Sequence, residues 1–166
     1  MPVHPPTLTH RPERPEDEPL LFQLYASSRQ EELDPLNWPP EMRAAFLTMQ
    51  FRAQRQGYAS MFPKAEFQII LLNGREAGRM VVDRAAEEIR LVDLVLLPEF
   101  RNSGVGTELL TALSRDAAAA RKPLRLSVAQ GNRALRFYER LGFRKTGVTG
   151  VHDEMEWRAP QTPENK

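Results

Sequence analysis

The stretch Leu94-Val-Leu-Leu-Pro-Glu-Phe-Arg-Asn-Ser-Gly-Val-Gly-Thr carries an apolar strand through a turn with two glycines directly onto the start of a helix. No other feature restricts the fold as strongly. First-turn amides of a helix have no internal partners and lie at the positive end of its dipole, and Gly104 and Gly106 admit a phosphate where a Cβ would block it. The segment therefore reads as an anion site suited to a pyrophosphate. Taken alone, a glycine turn that serves only chain reversal accounts for the same pattern.

The surrounding pattern is helix-rich first, then an antiparallel meander, then β–α–β–α. Residues 8–11 read as a strand, 12–19 as a turn, and Leu20 to Tyr25 as a helix with apolar side chains at helical spacing. Further helix is expected over 31–36 and 40–56, with a break near Trp38 and Pro39-Pro40 at a helix start. Residues 67–72 and 77–83 read as strands joined through Asn73-Gly74, a two-residue hairpin signal because both positions tolerate positive φ. A strand over 89–97, a helix over 104–120, a strand over 124–129 and a short helix over 134–141 ending at Gly142 follow. Residues 143–146 and 153–158 are expected to close the fold as an antiparallel pair. With 166 residues the chain suits one domain, assigned to 7–159, between an N-terminal tail over 1–6 and a C-terminal tail over 160–166.

Composition narrows the functions open to it. Lys and Arg number 23 against 22 Asp and Glu, so the net charge of +1 supplies no general field for nucleic acid or an anionic membrane. The absence of cysteine excludes disulfides, thiolate–metal sites and a thiol nucleophile, and agrees with a reducing cytoplasm. No metal is expected. No signal-peptide pattern and no apolar run of membrane-spanning length occur, so a membrane role is not expected. The arginines between Arg133 and Arg144 are scattered by helical spacing and interrupted by Glu139, which argues against a nucleic-acid surface.

A second segment, Asn132-Arg-Ala-Leu-Arg-Phe-Tyr-Glu-Arg-Leu-Gly-Phe, has Asn132 where a helix cap belongs, Ala134, Phe137 and Leu141 on one face, and Gly142 at the stop. The pair P-x-x-R-x-x-G-x-G and N-x-x-A-x-x-F-Y-x-x-L-G-F resembles motifs A and B of the GCN5-related N-acetyltransferases (GNAT), in the same order. Element order from Leu8 to Trp157 is similar as well. The resemblance implies an α/β (α+β) fold, the acyl-CoA N-acyltransferase fold, in which a mixed, mostly antiparallel sheet flanked by helices contains a splayed parallel pair, its fourth and fifth strands. It implies transfer of an acetyl group from acetyl-CoA to a primary amine, by direct attack in a ternary complex.

Residue by residue, the resemblance places the pantetheine arm on the main chain of Leu94, Val95 and Leu96. It places the pyrophosphate on the amides of Arg101, Asn102, Ser103, Gly104, Val105 and Gly106, with the Thr107 hydroxyl just inside the helix. Asn132 is implied to bond the arm, against a purely capping role. Tyr138 matches the phenol that protonates the departing thiolate, against a packed ring on an amphipathic helix, and Asp93 the acidic residue that faces the acceptor amine, against a paired structural carboxylate. Glu154, His152 and Glu32 are weaker candidates for the base; Ala129 offers no titratable group where some relatives have one. Tyr25, Arg29, Glu31, Glu32, Trp38 and His152 are expected near the acceptor, a small amine, a peptide N-terminus or a lysine. A homodimer through the last strands is a family habit. The competing expectation is an acyl-CoA-binding sensor or interaction module that shares the fold and lacks turnover.

Overall fold

Backbone polarity and proline placement decide where the helices of this chain begin. The computed structural model describes residues 5–161; the parts of the expected tails at residues 1–4 and 162–166 lie outside them. The strands are β1 (Leu8–Pro12), β2 (Glu66–Leu72), β3 (Arg75–Arg84), β4 (Ile89–Leu96), β5 (Leu124–Ala129), β6 (Arg144–Thr149) and β7 (His152–Trp157). The helices are α1 (Glu18–Ser28), α2 (Gln30–Leu33), α3 (Pro40–Met61), α4 (Val105–Ala120) and α5 (Ala134–Arg140). The strands form one sheet in the order β1-β2-β3-β4-β5-β7-β6. Pairs β1–β2, β5–β7 and β6–β7 are antiparallel and β4–β5 is parallel, which is the mixed, mostly antiparallel α/β sheet the sequence implies. No helix among the described residues is long and apolar enough to cross a membrane.

Two compact units divide the chain. One comprises the residues up to Val81 together with Asp93–Arg101; the other comprises Val82–Val92 and the residues from Asn102 onward.

In the first unit β1 runs antiparallel to β2 from Leu8↔Leu72 to Pro12↔Gln68. The Asn73-Gly74 turn that follows has φ of 52° and 77°, the left-handed geometry its sequence demands. Leu21 and Tyr25 of α1, Leu33 of α2, Leu47 and Phe51 of α3 and Ile69 of β2 make a buried cluster. Phe22 meets Phe51 edge-on with ring centroids 5.5 Å apart. The helix expected over 31–36 is only partly α: Pro35 lacks an amide hydrogen, so Asp34–Leu36 forms a 3-10 turn that Asn37 ends at φ 49°. Helix α3 starts behind Pro39, as expected, and continues past residue 56 to Met61.

Asp17 fixes the entry to α1. Its carboxylate accepts both terminal nitrogens of Arg11, at 2.8 Å and 2.7 Å, and the Arg14 amide at 2.7 Å. These donors, Arg11 first, hold the buried carboxyl well below its ordinary range, at about 2. A depressed acid stabilises the fold fully above its unfolded value near 3.8 and loses that contribution as pH falls toward about 2. Asp17→Asn is therefore expected to cost about 2 kcal/mol at pH 7, with the difference from wild type vanishing near the acid limit; urea melts at pH 7 and pH 2.5 check both halves.

In the second unit α4 packs on β5. Leu109, Leu110, Leu113 and Ala117 are buried at helical spacing, while Leu124, Leu126 and Val128 alternate inward along β5. Strand β6 lies further along the chain than residues 143–146, because the buried Phe143 ends the preceding turn and an irregularity between Lys145 and Gly147 lets pairing run on to Thr149.

Candidate active site

Strand β4 begins in parallel register with β5 and then parts from its ladder. The paired residues are Ile89↔Leu124, Arg90↔Arg125 and Leu91↔Leu126. Beyond them β4 continues to Leu96, while β5 continues along β7 as far as Ala129↔His152. Leu94, Val95 and Leu96 lie outside the paired register of the β4–β5 ladder.

The other side of this half-strand is packed closely. A Cβ on Gly78 of β3 would fall inside the contact radius of the Val95 carbonyl oxygen, and 2.8 Å from a Leu96 side-chain carbon. The Leu97 amide donates to the Ala77 carbonyl at 2.8 Å. Arg101 folds back on the strand: its Nε donates to the Leu96 carbonyl at 3.1 Å and its Nη2 to Ser27 Oγ of α1 at 3.3 Å.

In the second unit, Asn102 at φ 57° and Gly104 at φ 84° turn the chain into α4. Gly104 occupies the cap position and brings no side chain to it, so the first turn of α4, from Val105 to Thr107, stands at the positive end of the helix. A Cβ on Gly106 would stand 3.3 Å from the Phe137 ring of α5, so this glycine also sets how closely the two helices approach. The Asn132 side-chain oxygen accepts the Ala134 amide, the first of α5, at 2.9 Å from just ahead of the cap residue Arg133. Tyr138 is half-buried, its ring 5.3 Å from Phe137 and 5.6 Å from Phe143.

Asp93 belongs to the first unit, with a side chain only 16% exposed and Oδ2 at 4.0 Å from Arg79 Nη1. Burial pushes its carboxyl up to about 6, against the opposing pull of the Arg79 guanidinium and a Leu94 amide. Burial, with Asp93 nearby, likewise raises the Tyr58 phenol. Four of the residues expected near the acceptor touch a common set of neighbours within the first unit. Arg29 donates to Glu32 at 2.6 Å and to the Tyr25 hydroxyl at 2.6 Å, and stacks over Phe46, which meets Trp38 edge-on. Glu154 is instead engaged in the second unit, taking the Ser127 hydroxyl at 2.6 Å and lying 3.6 Å from Arg90.

The sequence model of the acetyltransferase (GNAT) domain matches residues 63–145, half of the chain. The chain belongs to the GNAT acetyltransferase family. Among curated proteins, mycothiol acetyltransferase of Nocardiopsis dassonvillei is 32% identical over 110 residues, covering 60% of this chain and 33% of the relative. This GNAT chain thus spans about a third of that relative's length. Its fold is similar to that of the PaiA N-acetyltransferase of Thermoplasma acidophilum in complex with coenzyme A, with TM-score 0.68 and 18% identity over 92% of this chain and 99% of the other. An acetyltransferase of Thermus thermophilus gives TM-score 0.68 and 20% identity over 92% and 97%.

Two residues of this GNAT domain escaped the sequence reading. Gly78 interrupts a run of buried strand residues, which is the usual mark of close backbone approach. Arg79, its side chain 5% exposed, sits beside it among Met80, Val81 and Val82, where a charge demands a buried partner.

Proposed function

We propose that this chain is an acetyl-CoA-dependent N-acetyltransferase acting on a primary amine. The observation that carries this reading is the early end of the β4–β5 ladder, followed along the chain by a left-handed glycine turn that opens the long helix α4. Main-chain groups of Leu94, Val95 and Leu96 hold the pantetheine arm as an added strand, and the amides from Arg101 to Gly106, with the Thr107 hydroxyl, hold the diphosphate. Asn102 and Ser103 lie in that turn and contribute through the backbone, and Asn132 serves the arm as well as the start of α5. The thioester supplies the activated acetyl group. Asp93, ionised above about pH 6, takes the proton from the acceptor's ammonium, and Tyr138 returns one to the thiolate that leaves. A β4 amide stabilises the oxyanion of the tetrahedral intermediate.

Calorimetric titration with acetyl-CoA, followed by thiol release with a panel of small amines, peptide N-termini and lysine peptides, tests the reading. Tyr138→Phe is expected to lower kcat by about 10²-fold while leaving acetyl-CoA affinity within about threefold. No measurable affinity for acetyl-CoA would overturn the site assignment. Saturable binding with no thiol release for any acceptor, and indifference to Tyr138→Phe, would make the chain a binding module instead.

A further inference from the structure

Arg79 lies among three elements of the first unit that the catalytic reading does not use. Its side chain is 5% exposed and that of Glu13, which follows β1, is 12% exposed. Arg79 Nε stands 3.4 Å from Glu13 Oε2, while its Nη1 stands 4.0 Å from Asp93 Oδ2. The guanidinium is stacked over two rings, Tyr58 of α3 at 5.8 Å and Phe67 of β2 at 5.6 Å. Glu13 is itself anchored, its amide donating to the Phe67 carbonyl at 2.9 Å.

Two features set this cluster apart from a structural ion pair. Arg79 Nε and Glu13 Oε2 are both fully buried, yet neither has a hydrogen-bond partner, although they face one another. A buried pair kept for stability is expected to close into a short, aligned contact, because an unmade bond leaves the full desolvation cost standing. Moreover, one guanidinium here serves two carboxylates. The cluster sets one positive charge against two carboxyl groups.

We propose that Arg79 is a positioning residue for acetyl transfer: a guanidinium clamped between aromatic rings and shared by Glu13 and Asp93, which keeps the Asp93 carboxylate charged and oriented without quenching it in a direct hydrogen bond. This rests on the reading of Asp93 as the base. A tight bidentate pair with Arg79 would drive Asp93 far down and make it a poor base, as Arg11 does to Asp17. With no cation nearby, burial would leave it protonated at neutral pH. The 4.0 Å separation, with Glu13 drawing the guanidinium toward itself, lies between these limits. The groups that face Asp93 are Arg79 from β3, Glu13 from the end of β1, Tyr58 from α3 and the Leu94 amide of its own strand, with Tyr25 of α1 coupled beyond Tyr58.

The test is a ¹³C carboxyl NMR titration of Asp93 in the full chain, the resonance being assigned by its loss in Asp93→Asn. Arg79→Met is expected to raise the midpoint by about one unit or more, Arg79→Lys to hold it within about half a unit of wild type, and Glu13→Gln to lower it. The acid limb of the kcat/KM profile for acetyl-CoA thiol release is expected to move with the midpoint in each variant. An unmoved midpoint in Arg79→Met or in Glu13→Gln would overturn the proposal. Should Arg79→Met not fold, the lysine and glutamine variants decide it alone. Undiminished turnover by Asp93→Asn would sink the base assignment instead, while leaving the titration result intact.

Discussion

Asp93→Asn is expected to melt higher than wild type at pH 8 while losing about 10²-fold or more in kcat. The two effects share one cause. Burial raises the Asp93 carboxyl from 3.8 to about 6, so the folded state binds its proton more tightly than the unfolded chain does. Stability therefore falls as pH rises between those two values, and the whole penalty is present above the upper one. Asparagine mimics the neutral form and removes the penalty, which amounts to about 1–3 kcal/mol for a shift of this size, or a few degrees in Tm for a chain of this length. Below pH 4 the two proteins are expected to melt together. Scanning calorimetry at pH 8, 6 and 4 checks the sign. A lower Tm for Asp93→Asn at pH 8 would mean that the interaction with Arg79 outweighs the cost of burying the charge. In wild type, kcat/KM is expected to rise with pH through about 6, the value at which the buried carboxyl becomes competent as a base.

Gly78→Ala is expected to be the most damaging single-methyl change in the chain. The added carbon would overlap the Val95 carbonyl oxygen, which is backbone and cannot rotate away, and would press on Leu96. Relief requires β3 or the half of β4 from Leu94 to Leu96 to move. A cost of about 2 kcal/mol or more in stability follows from overpacking against main chain. The same displacement disturbs the strand assigned to the pantetheine arm, so acetyl-CoA affinity is expected to fall about tenfold or more. Denaturant melts and calorimetric titration measure the two separately. Wild-type values for both would show that the strands yield freely, and would remove the reason for a glycine at this position.

How much of this was legible in the sequence depended on whether the signal was local. The strand over 124–129 has the bounds its residues predict, and the helix expected over 104–120 begins one residue later, behind a left-handed Gly104, since both rest on short-range patterns. The Asn73-Gly74 hairpin was equally plain. Residues 30–36 mixed two helix types because Pro35 interrupts a weak helical run, and β6 was misplaced because Gly147 and Gly150 obscure its period. In the candidate site, the turn and the start of α5 were legible as motifs. The surroundings of Asp93 were not, because Glu13, Tyr58, Arg79 and Asp93 are far apart in sequence and meet only through the sheet and α3. Arg79 offered one clue, a charge inside an otherwise buried strand.

Because the chain leaves the first compact unit after Val81, returns at Asp93 and departs again after Arg101, neither unit is a continuous piece of polypeptide. Both β3 and β4 change membership partway along their length. A fragment trimmed to residues 63–145, the span that matches the family model, would discard β1, α1, α2, all of α3, most of β6 and all of β7, and with them Glu13 and Tyr58. What survives such trimming would keep Asp93 and Arg79 yet lack the Glu13 and Tyr58 that surround them.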